Sequence, residues 1–263
     1  MAVVGAERPR ARSRPIAVAT AVVAAGLVAW IVTLDRMAGM DAGPGTDLGE
    51  LGWFLGIWAT MMAAMMLPAT APVAALFARS ESATRSAAFV AGYLAVWVAY
   101  GLAAYGVYRA VAAIDPSLLA WDRGGPYVAG GAVVAAGLYQ LTPLKRVCLR
   151  HCRSPMHFLL AHWRPGAAGA ARMGAAHGAW CAGCCWALMV VLFAVGVMSL
   201  FWMAVVAAVI LAEKALPRSE RLTPALGVAL IALGIWIAAA PGSVPNLTEP
   251  GGGSDDGMPS MSM

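Results

Sequence analysis

The stretch "HGAWCAGCCWALM", residues 177–189, holds one histidine, three of the chain's five cysteines and a methionine. On a helix, His177, Cys181, Cys184 and Cys185 fall at i, i+4, i+7 and i+8, and Met189 continues the same face. Thiolate, imidazole and thioether together form a ligand set for Cu(I). Zn(II) accepts the cysteines and the histidine but has little use for Met189. The same residues also suit close helix packing. Free cysteine behaves as a small buried hydrophobe, and Gly178, Ala179, Ala182 and Gly183 would let a neighbouring backbone approach. Both readings stand at this point.

Two further stretches carry soft donors. In "WATMMAAMMLPATAP", residues 58–72, Met61/Met65 and Met62/Met66 form interlocked pairs on one helical stripe. Pro68 follows and disrupts the hydrogen bond to the Ala64 carbonyl. Methionine also fills gaps in apolar cores, so the stripe alone is compatible with packing or with thioether ligation. In "LTPLKRVCLRHCRSPMHF", residues 141–158, Cys148 and Cys152 are spaced i, i+4, with His151 adjacent and His157 beyond Pro155. Lys145, Arg146, Arg150 and Arg153 around them would favour thiolate, giving a cytoplasmic metal-transfer station or a reactive dithiol. The alternative is an amphipathic segment whose basic residues meet anionic headgroups. Outside the membrane, Met37 and Met40 beside Asp35 and Asp41 are candidate copper scavengers. So are Met258, Met261 and Met263 beside Asp255 and Asp256.

The elements that must position these residues are membrane helices. The chain is 61% hydrophobic and 12% charged, against about 25% charged in soluble proteins. Apolar runs lie at about 16–34, 52–77, 86–111, 126–144, 199–212 and 222–240, long enough as a class for a ~30 Å hydrocarbon core. Residues 175–212 form one uncharged run, too long for a single crossing. It reads as two helices folded back near Gly196–Ser199, which makes about seven transmembrane helices. Fifteen of the eighteen Lys and Arg residues then fall on one side, leaving Arg36, Arg109 and Arg123 outside it. The positive-inside rule therefore predicts a cytoplasmic N-terminus and a periplasmic C-terminus.

The expected organisation is a basic arm over 1–15, an all-α bundle over 16–241 and a disordered external tail over 242–263. Residues 142–174 read as the long cytoplasmic loop. The location expected is a bacterial inner membrane, multi-pass. The net charge of +5 follows from loop arginines and does not point to nucleic acid. No GxGxxG, P-loop, zincin motif or C-x-x-C-H is present.

These blocks, with "GVMSLFWMAVVAAVILAEKALP", resemble a bacterial family of uncharacterised polytopic proteins described as predicted metal-binding integral membrane proteins. The resemblance covers roughly residues 53–240. It implies a membrane helix bundle with a metal role. The positions carried over are Met61, Met62, Met65, Met66, Cys148, His151, Cys152, His177, Cys181, Cys184 and Cys185.

The leading expectation is a non-catalytic protein that binds or conveys Cu(I), ahead of Zn(II), for cuproenzyme supply or copper homeostasis. Its partners would be the bilayer and a metallochaperone or cuproenzyme. The second and fifth spans would face each other across a midplane site. Because charge is costly there, one thiolate with neutral thioethers is the expected ligation of Cu(I), the other cysteines staying protonated. The alternatives are a thiol–disulfide oxidoreductase using Cys181/Cys184 and Cys148/Cys152, or a structural subunit.

Overall fold

The computed structural model describes residues 9–37, 48–114, 123–195, 199–216 and 219–244. The expectations concerning Arg8, Met40, Asp41, Arg218, residues 196–198 and the methionines and aspartates of the tail lie outside these residues. Among the described residues regular structure is entirely helical. The helices are α1 (Pro9–Met37), α2 (Leu51–Phe77), α3 (Ala83–Ile114), α4 (Gly125–Gln140), α5 (Pro143–Arg153), α6 (Pro155–Ala161), α7 (Gly166–Val195), α8 (Leu200–Ala215) and α9 (Ser219–Ala239).

Five segments are long and apolar enough to cross a bilayer: Ser13–Met37, Leu51–Phe77, Ala83–Ile114, Gly166–Val195 and Arg221–Ala239. α4 and α8 have 16 residues each, about 24 Å of helix. α4 reaches spanning length only together with α5, across a bend of 67°. Exposed Leu27, Val28, Ile31, Leu102, Val107, Val228, Ile235 and Trp236 give α1, α3 and α9 apolar outer faces, as a lipid-facing surface requires.

Contacts fix how the helices run. Arg14 at the start of α1 donates to the Glu81 carbonyl just past α2, and Gly26 lies against Pro68, so α1 and α2 are antiparallel. Gly174 and Gly178 of α7 face the carbonyls of Phe89 and Tyr93, and Tyr100 donates to the Trp186 carbonyl. α3 and α7 are therefore parallel. Gly130 meets Gly234 and Gly137 meets Gly227, an antiparallel α4–α9 contact at backbone distance of the kind small residues permit. Lys214 Nζ lies 2.9 Å from Cys181 Sγ although 33 residues separate them. A continuous helix would hold them about 50 Å apart. α7 and α8 therefore pack as two separate, antiparallel helices rather than as one long crossing.

The expected loop 142–174 is itself mostly helical. α4 stops at Gln140 because Thr142 caps a new helix, its Oγ1 accepting from the Lys145 N–H at 3.3 Å. Pro143 then occupies the first turn, where a missing N–H costs nothing. α5 ends at Ser154, whose backbone leaves the helical region before Pro155. Gly166, with φ +80°, admits the left-handed turn that opens α7.

Candidate metal centre

α5 is strongly amphipathic and lays one face on α7. Lys145, Cys148, Leu149 and Cys152 are its buried residues, at the spacing of a single helical stripe. On α7, Cys181, Cys184 and Cys185 are each at most 1% exposed. The docking brings Cys152 to the cysteines of α7. The Sγ atoms of Cys152, Cys181 and Cys184 all lie within 4.8 Å of one another, with Cys152 and Cys184 at 3.6 Å. Metal–thiolate bonds of ~2.3 Å in a trigonal plane place sulfurs about 4.0 Å apart. The trio therefore fits a three-coordinate soft ion with small adjustments. All five cysteines are free thiols.

Groups from two more helices close on the trio. The Tyr93 hydroxyl of α3 lies 3.0 Å from Cys181 Sγ, and the Lys214 ammonium of α8 donates to the same sulfur at 2.9 Å. The Cys184 thiol donates to the Cys181 carbonyl at 3.1 Å, while Cys185 Sγ sits behind it, 3.2 Å from Cys184 Sγ. Lys145 is fully buried and donates to Glu213 at 2.7 Å and to the Cys184 carbonyl. Thr223 of α9 donates to the other Glu213 oxygen at 3.0 Å. This buried pair ties α5, α7, α8 and α9 together directly behind the trio.

The other expected donors are distributed differently. Cys148 lies under Gly183, where an added Cβ would come within 2.9 Å of its sulfur. His151 stacks flat on Trp180 with centroids 4.0 Å apart. The expected station of Cys148, His151 and Cys152 is therefore divided, and only Cys152 reaches the trio. His177 packs among Phe89, Tyr93 and Phe158. Its Nδ1 has no partner among the described residues, and it is not one of the clustered donors.

Met61, Met62, Met65 and Met66 are all buried and share one continuous core with Met37, Met189, Met203 and the five cysteines. Trp58 stacks on Phe193, and Phe77 stacks on Phe89, which in turn faces His177. These contacts make α2 antiparallel to α7 and set Met66 level with the turn from Cys185 to Leu188. The methionine stripe and the cysteines thus occupy similar heights. The hydrogen-bonding groups that other helices bring to the cysteine sulfurs come from α3, α5 and α8.

A family model described as PpoB2, copper chaperone, matches residues 55–237. The chain belongs to that family. The metal role implied by the sequence motifs stands, under a more specific description than "predicted metal-binding integral membrane protein". No curated protein and no solved structure shows a significant match. The matched region contains every helix that contributes to the trio.

Sequence reasoning gave Lys145 only a thiolate-favouring role, without its buried pairing with Glu213, and missed Lys214, Glu213, Thr223 and Tyr93. Lys145 carried a signal: it shares the helical stripe of Cys148 and Cys152. Glu213 and Lys214 follow the end of the apolar run 199–212, but α8 continues through both to Ala215.

Proposed function

We propose that the protein is a membrane-embedded Cu(I) chaperone that holds its cargo on Cys152, Cys181 and Cys184. The observation that carries this is the convergence of three buried thiols from two helices within 4.8 Å. Soft thiolates select Cu(I) over harder divalent ions. The charge count supports the same set. Cu(I) with two thiolates and one thiol has a net charge of −1, which the Lys214 ammonium 2.9 Å from Cys181 balances. Lys145 and Glu213 balance each other. This neutral arrangement replaces the single-thiolate one that the sequence suggested.

The methionines supply a route. Met37 ends α1, and Met61, Met62, Met65, Met66, Met189 and Met203 follow in the same core. Thioethers bind Cu(I) without adding charge, so they pass the ion along without strong trapping. Seven crossings of an inner membrane, with a cytoplasmic N-terminus and periplasmic C-terminus, are consistent with the observed pairings. α1/α2, α4/α9 and α7/α8 are antiparallel, and α3/α7 are parallel. Copper would then enter from the outer face and reach the trio toward the cytoplasmic side. The role is non-enzymatic: delivery to a metallochaperone or cuproenzyme.

Anaerobic Cu(I) titration of the detergent-purified protein tests this reading. One equivalent is expected to bind the wild type and to be lost in C152S/C181S/C184S. Equal copper in both proteins would refute it.

The 3.6 Å separation of Cys152 and Cys184 also supports a dithiol reading, in which that pair is oxidised to a disulfide by exchange as it reduces the disulfide of an external partner, and is returned to two thiols by exchange with an external dithiol. Thiol trapping in intact cells separates the two. Thiols that remain reduced throughout growth exclude the redox role.

A further inference from the structure

On the far side of α5 from Leu144 and Val147, between α4, α5 and α9, lies a cavity of about 370 Å³. Its lining is Gln140, Leu141, Arg146, Leu149, Arg150, Arg153, Thr223 and Pro224. None of these is a member of the cysteine trio. Arg146, Arg150 and Arg153 recur at i, i+4 and i+7, so one edge of α5 presents three guanidinium groups to the same space. Arg153 is anchored by donating to the Leu216 carbonyl at 2.7 Å. Among the described residues no carboxylate pairs with Arg146 or Arg150. Glu213, the carboxylate bonded to Thr223 of the lining, is neutralised by Lys145.

A second observation points to a ligand. Gln140 is 1% exposed, and neither its amide nitrogen nor its amide oxygen has a hydrogen-bond partner among the described residues. Buried amides are rarely left in that state, because each unpaired group retains its desolvation cost. Gln140 ends α4 and lines the arginine cavity, so a polar ligand there would satisfy it. Guanidinium forks match phosphate oxygens in pairs, and the Gln140 amide adds a further donor. The volume holds roughly a dozen water-sized units, ample for a phosphodiester.

We propose that this cavity is a binding site for a phosphate group, that of an anionic phospholipid headgroup. The phospholipid source follows from position. The cavity lies where α4 turns by 67° into the amphipathic α5. Its rim carries Leu141, 41% exposed, to meet the acyl chain beside the headgroup. Basic pockets at this depth between membrane helices suit anionic lipid. Bound there, the headgroup would brace α5, the helix that carries Cys152.

Native mass spectrometry tests the site, using protein extracted from nanodiscs of equal phosphatidylglycerol and phosphatidylcholine. The wild type is expected to retain phosphatidylglycerol in preference to phosphatidylcholine. R146Q/R150Q should weaken that preference by roughly thirtyfold, at about fivefold per arginine. Q140L should weaken it more modestly, and far-UV circular dichroism with monodisperse elution in detergent serves as the folding control for both. R146K/R150K keeps the charges without the forks and should fall between the wild type and R146Q/R150Q. Displacement of the lipid by millimolar inorganic phosphate would assign the site to the phosphate group itself, available to soluble ligands. Retention in phosphate assigns it to the lipid. Equal retention of the two lipids, with no effect of inorganic phosphate on thermal stability, would overturn the proposal. So would an undiminished preference in R146Q/R150Q.

Discussion

Replacing Lys145 by methionine removes the buried ammonium and leaves Glu213, 1% exposed, without its counter-charge. At 2.7 Å and an effective dielectric of about 20, the pair attracts by roughly 6 kcal/mol. Desolvation of both ions offsets most of that, so the intact pair contributes little net stability. Removing one partner is different, because the remaining charge keeps its desolvation penalty uncompensated. The expected loss for K145M is about 3–5 kcal/mol. At roughly 2–4 °C per kcal/mol for a chain of this size, the unfolding midpoint should fall by about 6–20 °C. The double variant K145M/E213L removes both charges and should recover most or all of the loss, since apolar replacements of buried pairs are often neutral or stabilising. Thermal unfolding in detergent, followed by tryptophan fluorescence, measures both. Copper stoichiometry should follow the same order, because Lys145 also holds α5 to the Cys184 carbonyl and so fixes Cys152. A double variant that melts as low as K145M would refute the reasoning, since the cost would then lie in packing rather than in an orphaned charge.

C152S should abolish high-affinity Cu(I) binding while C148S retains the wild-type stoichiometry, because only Cys152 reaches the trio; anaerobic competition with a chromogenic Cu(I) chelator reports both. K214M should raise the copper Kd by about ten- to a hundredfold, the worth of one charge-assisted hydrogen bond, and K214R should restore most of it. An unchanged Kd in K214M would remove Lys214 from the charge balance. G174V should destabilise the bundle by at least about 1–3 kcal/mol: even a Cβ at Gly174 would lie 1.8 Å from the Phe89 carbonyl oxygen, so α3 and α7 must separate. H177A should lower stability yet leave copper stoichiometry intact, since His177 packs among aromatic rings.

Several features were legible because they depend on local order. The 3.6-residue period puts Cys181, Cys184 and Cys185 on one face of α7, and all three are buried there. The same period puts Met61, Met62, Met65 and Met66 on the buried side of α2. Hydropathy and the length of a bilayer crossing marked the reversal between α7 and α8. Charge placement misled at Lys145, Lys214 and Glu213. A lysine bounding an apolar run looks the same in sequence whether it faces the cytoplasm or folds inward to a partner.

By itself, then, the sequence determined an all-helical chain with soft donors at set positions along particular helices, because side-chain direction repeats with the backbone over a few residues. Tertiary structure decided which donors meet. Cys152 joins Cys181 and Cys184 across 32 residues, while His151 and His177 are drawn away by Trp180 and by Phe158 and Tyr93. That choice rests on which helix faces cross: the backbone contact of α3 with α7 through Gly174, and the docking of α5 through the buried Lys145–Glu213 pair. Periodicity carries no information about such crossings, since it fixes a residue's angle about its own helix and not the neighbour that the angle faces.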